Sequence, residues 1–299
     1  MVRDVVIVGA GPAGISAAVY LQRVGHQPLV FEKDRIGGLL LNANLVENYP
    51  GFPEGIGGTE LVSLFNEHLE NQGVEVMHTE VTEIKQEKGL FIVATPDGDT
   101  ETRIVLVTTG TKPKEAGIPG ENELKGTRLF YEVREIPKKE GKDFVIIGGG
   151  DAAFDYALNL SKGARKVDIV CRSKDSSCIR LLHDRAEQTP NITFHKEISS
   201  ESLSEADGRV KVSCKTPEGE KEFDADYVLI ACGRESRWLD VKGLESVSSI
   251  GNMTRTTVPG LFVAGDVKQG DHRQVGIAVG DGVQAAMSIA DYLERGEQK

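Results

Sequence analysis

Asp4-Val-Val-Ile-Val-Gly-Ala-Gly-Pro-Ala-Gly14 returns 139 residues further on as Asp143-Phe-Val-Ile-Ile-Gly-Gly-Gly-Asp-Ala-Ala153. Each copy is a β-branched run, then G-x-G-x-x-G/A, then an apolar-periodic segment, Ile15 to Val24 in the first and Phe154 to Leu160 in the second. The pattern predicts strand, tight turn and helix twice over. Gly9 and Gly148 allow the sharp turn, Gly11 and Gly150 let backbone approach a pyrophosphate, and Gly14 or Ala153 lets helix pack closely on strand. Pro12 and Ala13 complete the first loop, and Gly149, Asp151 and Ala152 the second. The helix N-terminus next in the chain offers free N–H groups to the anion. Two dinucleotide motifs in one chain imply that electrons pass between two cofactors.

Downstream of the glycines the two copies differ chemically. Twenty-three residues after Gly9 the strand Pro28-Leu-Val-Phe31 ends on Glu32, a carboxylate placed to accept from a ribose hydroxyl pair. Twenty-three residues after Gly148 the strand Val167-Asp-Ile-Val170 ends on Cys171, with Arg172 next and Lys174 nearby. No acid stands there and two cations do. They suit a 2′-phosphate, which leans the second site toward NADP rather than NAD. The other reading, that Arg172 and Lys174 are solvated loop charges, stays open.

The repeat extends past the glycines. Arg103-Ile-Val-Leu-Val-Thr-Thr-Gly110 matches Asp226-Tyr-Val-Leu-Ile-Ala-Cys-Gly233 at an offset of 123, so the first half carries 16 more residues (139 less 123), assigned to Gly37 to Gly58. Val74 to Thr95 and Ile192 to Thr216 alternate like β-meanders, with turn signals at Pro96-Asp-Gly98 and Pro217-Glu-Gly219. Gly260-Leu-Phe-Val-Ala-Gly-Asp266 reads as one more buried strand, and Val275 to Leu293 as a long helix with small residues at Gly276, Gly280, Gly282, Ala285 and Ala286. Lacking a glycine fingerprint, this segment must complete a sheet already begun. The expected architecture is α/β, with two Rossmann-like dinucleotide-binding domains of the three-layer ββα type. The second, 114–240, is inserted in the first, 1–113 with 241–299, through linkers near Thr111-Lys-Pro-Lys114 and Ser236 to Gly243.

At 299 residues and 39% hydrophobic content the chain can bury two ordinary cores. No apolar run approaches the roughly 20 residues that span a bilayer, and the N-terminus enters a strand almost at once. A cytoplasmic enzyme is expected. A net charge of -11 argues against nucleic acid or an anionic membrane as partner.

The run Gly37-Gly38 with Val46-Glu-Asn-Tyr-Pro-Gly-Phe-Pro53, the strand end Thr109-Gly110, the loop Gly148 to Ala153, and Gly265-Asp266 with Arg273-Gln274 beyond it resemble the low-molecular-weight thioredoxin reductases. These are class II FAD-dependent pyridine nucleotide-disulfide oxidoreductases. The resemblance implies FAD in the discontinuous domain, a nicotinamide dinucleotide in the inserted one, a homodimer, and an inserted domain that swivels to bring nicotinamide to flavin. It implies that Asp266 binds the ribityl chain, that Arg273, Gln274 and Val275 line the flavin from the start of the last helix, and that Asn48 sits near it. The partial positive charge of that helix start suits a reduced flavin. Lys33, Gly37, Gly38, Val81, Thr109, Gly110 and Gly265 join the FAD set, and Gly233 the NAD(P) set. Leu39, where the family has glutamine, removes a polar contact and is expected to alter the flavin potential. The cation cluster of NADP-reading relatives, His-Arg-Arg with a further Arg, is only partly matched by Cys171-Arg172-Ser173.

The decisive departure lies ahead of the second motif. The family carries Cys-x-x-Cys-Asp there, and counting back from Gly148 without gaps puts Tyr131-Glu-Val-Arg134-Glu135 in its place. A phenol and a guanidinium cannot attack a disulfide. The four cysteines, 171, 178, 214 and 232, contain no Cys-x-x-Cys and read as structural thiols, a Cys171–Cys178 disulfide being the lesser alternative. Tyr131 either packs or lies against the flavin face; Arg134 is either solvated or anchors an acidic acceptor. Glu135 falls where the family has its proton-handling acid, with no thiolate to serve. His272 either reaches the flavin's pyrimidine end or is exposed.

Three functional readings are compatible with these residues. The first is an FAD-dependent NAD(P)H oxidoreductase giving electrons to a non-disulfide acceptor: ferredoxin or another small redox protein, free flavin, quinone or oxygen. The second is a disulfide reductase working without a local dithiol. The third is a non-catalytic FAD-binding sensor or scaffold with a vestigial nucleotide site.

Overall fold

The computed structural model describes residues 2–239, 241–242 and 254–295. The β-branched run of the first motif forms strand β1 (Arg3–Val8), and helix α1 (Pro12–Arg23) starts with proline, where no backbone N–H is missed. Strand β2 (Leu29–Phe31) lies parallel to β1. After a 3-10 turn (Gly38–Asn42), helix α2 (Gly58–Asn71) crosses over to β3 (Glu75–Met77), parallel to β2. Strands β4 (Glu83–Glu87), β5 (Leu90–Thr95) and β6 (Gly98–Val107) form an antiparallel meander, and the second half of β6 joins β1 in parallel.

The chain then passes through β7 (Thr111–Pro113), a short helix α3 (Glu121–Leu124) and β8 (Leu129–Phe130) to the second motif. Here β9 (Asp143–Ile147), α4 (Asp151–Ser161), β10 (Lys166–Val170), α5 (Arg180–Glu187) and β11 (Ile192–His195) repeat the first pattern. A meander of β12 (Ser199–Ala206), β13 (Arg209–Thr216) and β14 (Gly219–Ala225) leads to β15 (Tyr227–Ile230), which completes the parallel order β11-β10-β9-β15-β8. Strand β16 (Arg234–Ser236) pairs with β7. Strand β17 (Val241–Lys242) joins β4, and β18 (Leu261–Val263) lies beside β6. The last element is helix α6 (Val275–Arg295). No helix among the described residues is long and apolar enough to cross a membrane.

Two compact units result: Met1–Leu41, Val46–Lys112 and Ser236–Lys299 form one, and Asn42–Leu45 with Pro113–Glu235 the other. Compared with the expected division, the second ends at Glu235 instead of 240 and takes in residues 42–45. Residues 240 and Gly243, named in the expected boundary and linker, lie outside the described residues, as does the chain end at Lys299.

Each unit is a three-layer Rossmann-like fold, and the period of two along each strand explains why. In the first unit Val5, Ile7, Val30, Ile104 and Leu106 pack with α1 and α6, while Val6, Val8, Leu29, Phe31, Val105 and Val107 pack with the meander. In the second unit Phe144, Ile146, Val167 and Ile169 face helix α4, and Val145, Ile147, Val170 and Val228 face the meander. A strand covered on both faces has to be apolar along its length, and all five residues of β9 are buried.

The repeat reaches the turns. Lys88-Gly89 and Asp207-Gly208 both have φ > 0 at two loop residues, the type I′ geometry that matches strand twist. Thr95 and Thr216 each donate Oγ1–H to the carbonyl of the glycine three residues on, at 2.9 Å in both. One expectation needs correction: the first strand of each presumed meander, β3 or β11, instead joins the parallel sheet, because a right-handed helical crossover returns it beside its predecessor. The meanders proper run over Glu83–Val107 and Ser199–Ala225.

Among the small residues of α6, Gly282 is the one that matters. A Cβ there would stand 2.1 Å from the Ala13 carbonyl oxygen and 2.2 Å from Ser16 Oγ, where α6 crosses α1; Gly276 and Gly280 face open space. Gly282→Ala is expected to destabilise the protein by about 1–3 kcal/mol in urea unfolding despite alanine's better helix propensity. Gly280→Ala should be neutral or stabilising.

Candidate functional site

In the first unit the glycines are crowded where helix meets strand and open where a ligand would lie. A Cβ on Gly9 would be 2.6 Å from the Thr108 carbonyl oxygen, and one on Gly14 2.0 Å from the Gly9 carbonyl oxygen, whereas nothing lies within 4 Å of one on Gly11. Helix α1 has Gly11 as its N-cap and no side-chain cap, so its first N–H groups are left for an anion. Gly37 N–H donates to the Ala10 carbonyl at 2.7 Å, and a Cβ on Gly38 would touch Gly11 Cα at 3.4 Å, so the paired glycines lie on the loop.

Glu32 is buried, and its carboxylate is aimed by backbone: Ala10 N–H donates to Oε2 at 2.8 Å and Asp34 N–H to Oε1 at 2.9 Å. Each oxygen keeps a lone pair for a ribose hydroxyl. Lys33 beside it is exposed, and Val81 is buried in the core between sheet and meander. Asn48 Nδ2 donates to Gln274 Oε1 at 2.8 Å, joining two predicted flavin-site residues 226 positions apart. Gly265 adopts φ +76, and a Cβ on it would meet Ala13 Cβ at 2.8 Å, which brings the Gly265–Asp266 turn against the first turn of α1. Val275 begins α6, while Arg273 is half-buried and His272 exposed. These residues fit a dinucleotide with an adenosine carrying a free 2′-OH.

Sequence reasoning missed the residues that brace this site. Thr108 Oγ1–H lies 3.0 Å from the Val8 carbonyl and 2.8 Å from that of Gly9, stitching the end of β6 to the glycine turn. Asp281 accepts from Gly265 N–H at 3.3 Å and Gln269 Nε2 at 2.9 Å, and pairs with Lys268 at 3.2 Å. An aspartate in a helix otherwise read for small residues carried no motif to find it by.

The second unit repeats the glycine geometry with a difference. A Cβ on Gly148 would lie 2.4 Å from the Ala231 carbonyl oxygen, and one on Gly149 2.3 Å from Cys171 Sγ. Where Gly11 faces open space, the Cβ position of Gly150 faces Ser177 Oγ at 3.5 Å. Ser177 N–H donates to the Gly149 carbonyl at 2.8 Å and Ile179 N–H to Asp151 Oδ1 at 2.8 Å, so the loop after β10 is fastened to the glycine loop. Ala153 is fully buried, and Ala152, Arg172, Lys174 and Gly233 are exposed. Helix α4 also lacks a side-chain cap at Gly150. The donors and the two cations fit a phosphorylated dinucleotide.

The stretch Tyr131 to Glu135, expected to stand where the family has its dithiol, is tied down by acidic partners. Tyr131 is buried and donates Oη–H to Glu121 Oε1 at 2.6 Å, and Glu121 also accepts three backbone N–H groups, from Ala116, Gly117 and Ile118. Tyr131 packs in the core cluster with Leu129 and Val145, and burial, then the Glu121 bond and charge, push the phenol's pKa up. Arg134 is not a solvated charge: its Nε donates to Glu132 Oε2 at 3.1 Å. Glu132 also accepts from Arg234 Nη2 at 3.0 Å and Asn42 Nδ2 at 2.6 Å. Burial alone would raise the Glu132 carboxyl, but Arg234, Asn42 and Arg134 together hold it below the usual range. Glu135 lies on the surface, its carboxyl raised by partial desolvation and then by the Glu132 charge.

Within the same unit Asp155 of α4 accepts from Asn44 N–H at 3.1 Å, and burial raises its carboxyl to about 6. A carboxyl raised in the folded state costs stability as pH climbs from its unfolded value of about 4 through 6. Asp155→Asn should therefore add up to about 3 kcal/mol at pH 7 and little at pH 4, a difference read from melting curves at the two pH values.

All four cysteines are free, Cys171 and Cys178 among them, so the structure contains no Cys171–Cys178 disulfide. Desolvation raises the thiols of Cys178, Cys214 and Cys232; Cys232 is an exposed residue, but its Sγ turns inward to the Ile147 carbonyl at 3.4 Å. Protonated thiols are poor nucleophiles. The metal-like grouping of His183, Asp184 and Glu187 is largely exposed, and Asp184 is paired with Arg180.

The family described as pyridine nucleotide-disulphide oxidoreductase matches residues 3–282. The thioredoxin reductase of Bacillus subtilis is 34% identical over 303 residues, covering 98% of this chain and 95% of that protein. Among solved structures, the thioredoxin reductase of Lactococcus lactis in its FR conformation has a TM-score of 0.89 at 30% identity, covering 98% of this chain and 99% of that one. That of T. acidophilum has a TM-score of 0.85 at 34% identity, covering 97% and 99%. With two glycine-loop sites, an acid at the first and cations at the second, the chain belongs to the pyridine nucleotide-disulphide oxidoreductase family, as an FAD-containing, NAD(P)H-dependent oxidoreductase of the thioredoxin reductase type.

Proposed function

We propose that this chain passes reducing equivalents from NAD(P)H by way of FAD to an acceptor that is not a disulfide, such as a ferredoxin, free flavin, quinone or oxygen. The observation that carries the reading is the pair of residues at the dithiol position, Tyr131 bound to Glu121 and Arg134 bound to Glu132, in a chain without a Cys-x-x-Cys. The relatives are named for reducing thioredoxin, and their substrate is not carried over, because no thiolate stands here to attack a disulfide.

When bound, FAD supplies two-electron and one-electron chemistry that no side chain can. The chain's part is to hold and orient it: the α1 N-terminus and Gly11 for the diphosphate, Glu32 for the adenosine ribose, Asp266 for the ribityl chain, and Arg273, Gln274 and Val275 at the flavin ring. The unit of 1–41, 46–112 and 236–299 forms the FAD domain in this reading, and that of 42–45 with 113–235 the NAD(P) domain, which delivers the nucleotide. Arg172 and Lys174 favour NADPH over NADH. A homodimer in the cytoplasm is the expected form, and a net charge of -11 gives nucleic acid and anionic membranes no purchase.

Anaerobic stopped-flow mixing of the purified yellow protein with NADPH, then NADH, tests the donor side. Rapid bleaching by NADPH is expected, and no bleaching by either nucleotide would favour a sensor. The reduced protein should then be reoxidised by quinone, FMN, ferredoxin or oxygen far faster than by oxidised thioredoxin; the reverse order would sink the proposal. Arg172→Ala should weaken NADPH binding about tenfold, the worth of one charge-assisted contact, and leave NADH nearly unchanged. Equal effects would refute the 2′-phosphate reading.

A further inference from the structure

The single tryptophan of the chain, Trp238, is 41% exposed. An indole left in water gives up a large apolar contact area, and a rigid exposed aromatic is a ready platform for a flat partner. Its backbone is not loose. Arg237 N–H donates to the Gly110 carbonyl at 2.9 Å, Thr109 Oγ1–H donates to the Arg237 carbonyl, and Arg237 Nη2 pairs with Glu80 Oε1 at 2.9 Å. On the other side Leu239 packs against the core cluster that contains Val81 and Ile84. Trp238 is thus carried on a segment fastened at both flanks within the first unit.

Those fastenings lead to the adenosine side of the cofactor site. Glu32, the ribose acid, donates its own N–H to the Met77 carbonyl at 2.9 Å, and three residues after Met77 comes Glu80, the partner of Arg237. Thr109 and Gly110, both in the expected FAD set, are bonded to the Arg237 backbone, Val81 of the same set follows Glu80, and the Cβ position of Gly110 has no atom within 4 Å.

We propose that Arg237 and Trp238 form an adenine clasp, in which the Arg237–Glu80 pair fixes the segment and the Trp238 indole stacks on the adenine of FAD. The clasp rests on the reading of the first unit as the FAD site. A protein that purifies colourless would remove that reading, whereas the clasp stands or falls on substitutions in protein that purifies yellow.

The test compares Trp238→Ala, Trp238→Phe and Glu80→Gln as holoenzymes, following FAD release on dilution by the rise in free-flavin fluorescence and recording the bound flavin's visible spectrum. Stacking of a base on an aromatic ring is worth about 1–3 kcal/mol, roughly 5- to 150-fold in affinity. Trp238→Ala is expected to raise the FAD dissociation constant at least fivefold with an unchanged flavin spectrum; Trp238→Phe should keep most of the affinity, and Glu80→Gln should fall between. Unchanged FAD affinity in Trp238→Ala would overturn the clasp. So would a shifted flavin spectrum, which would put the indole at the ring end, or an equal loss in Trp238→Phe, which would make the role packing alone. If Trp238→Ala does not fold, Glu80→Gln decides by the same two readouts.

Discussion

Gly11→Ala should yield a folded protein that cannot hold FAD, whereas Gly14→Ala should lose both cofactor and stability. The two positions differ in what surrounds them. Gly11 has φ -78, which any residue adopts, and its Cβ position is empty to 4 Å, so a methyl group is tolerated by the protein but intrudes where a diphosphate must approach. A Cβ on Gly14 would lie 2.0 Å from the Gly9 carbonyl oxygen and 2.8 Å from Thr108 Oγ1, so the helix must move off the strand. That displacement is expected to cost at least about 3 kcal/mol, the upper part of the range for overpacking. Absorbance of bound flavin after gel filtration, with urea unfolding alongside, separates the two outcomes. The second copy already carries alanine at the matching place, Ala153, fully buried. Ala153→Gly should cost only about 1 kcal/mol.

Glu132→Ala is the second large effect expected. The substitution removes the carboxylate that pairs with both Arg134 and Arg234, whose side chains are 24% and 17% exposed. Removing one partner of a buried ion pair costs about 3–5 kcal/mol, and the partial exposure of the arginines places this case near the lower end. The pH dependence comes from the lowered carboxyl. Its contribution is present above the unfolded carboxylate value of about 4.5 and is lost as pH falls through the lower folded value. The destabilisation by Glu132→Ala, measured by denaturant unfolding, should therefore be large at pH 7 and shrink in acid. A constant difference would show that the charge network is not its cause.

Much of the fold was legible because the decisive signals are local. Glycines with a β-branched run before them and apolar periodicity after them fix strand, turn and helix within about thirty residues, and the chain carries the pattern twice. Even Thr95-Pro-Asp-Gly98 and Thr216-Pro-Glu-Gly219 stated a common turn, and both turns carry the same threonine bond. The first strand of each expected meander pairs elsewhere, because alternation marks a half-exposed strand but does not say which neighbour it pairs with. For β3 and β11 the neighbour is set by the crossover helix, a tertiary constraint. The bracing roles of Thr108 and Asp281 depend on contacts 99 and 16 residues away in sequence and obey no spacing rule. For Tyr131 and Arg134 the residue types are legible in the sequence and their partners only in the structure: a phenol held by Glu121 and a guanidinium held by Glu132. A residue type alone could not say whether Arg134 met water or a partner.

The measurement that tests the central claim most directly is an anaerobic dithionite titration of the FAD-loaded protein, counting electrons taken up per flavin. FAD accepts two electrons and a redox-active disulfide in contact with it two more. If electrons leave the flavin without passing through a protein dithiol, titration should end at two electrons per FAD, with no new thiols detected afterwards. An endpoint of four electrons per FAD, with two thiols gained, would contradict the account and restore a disulfide route.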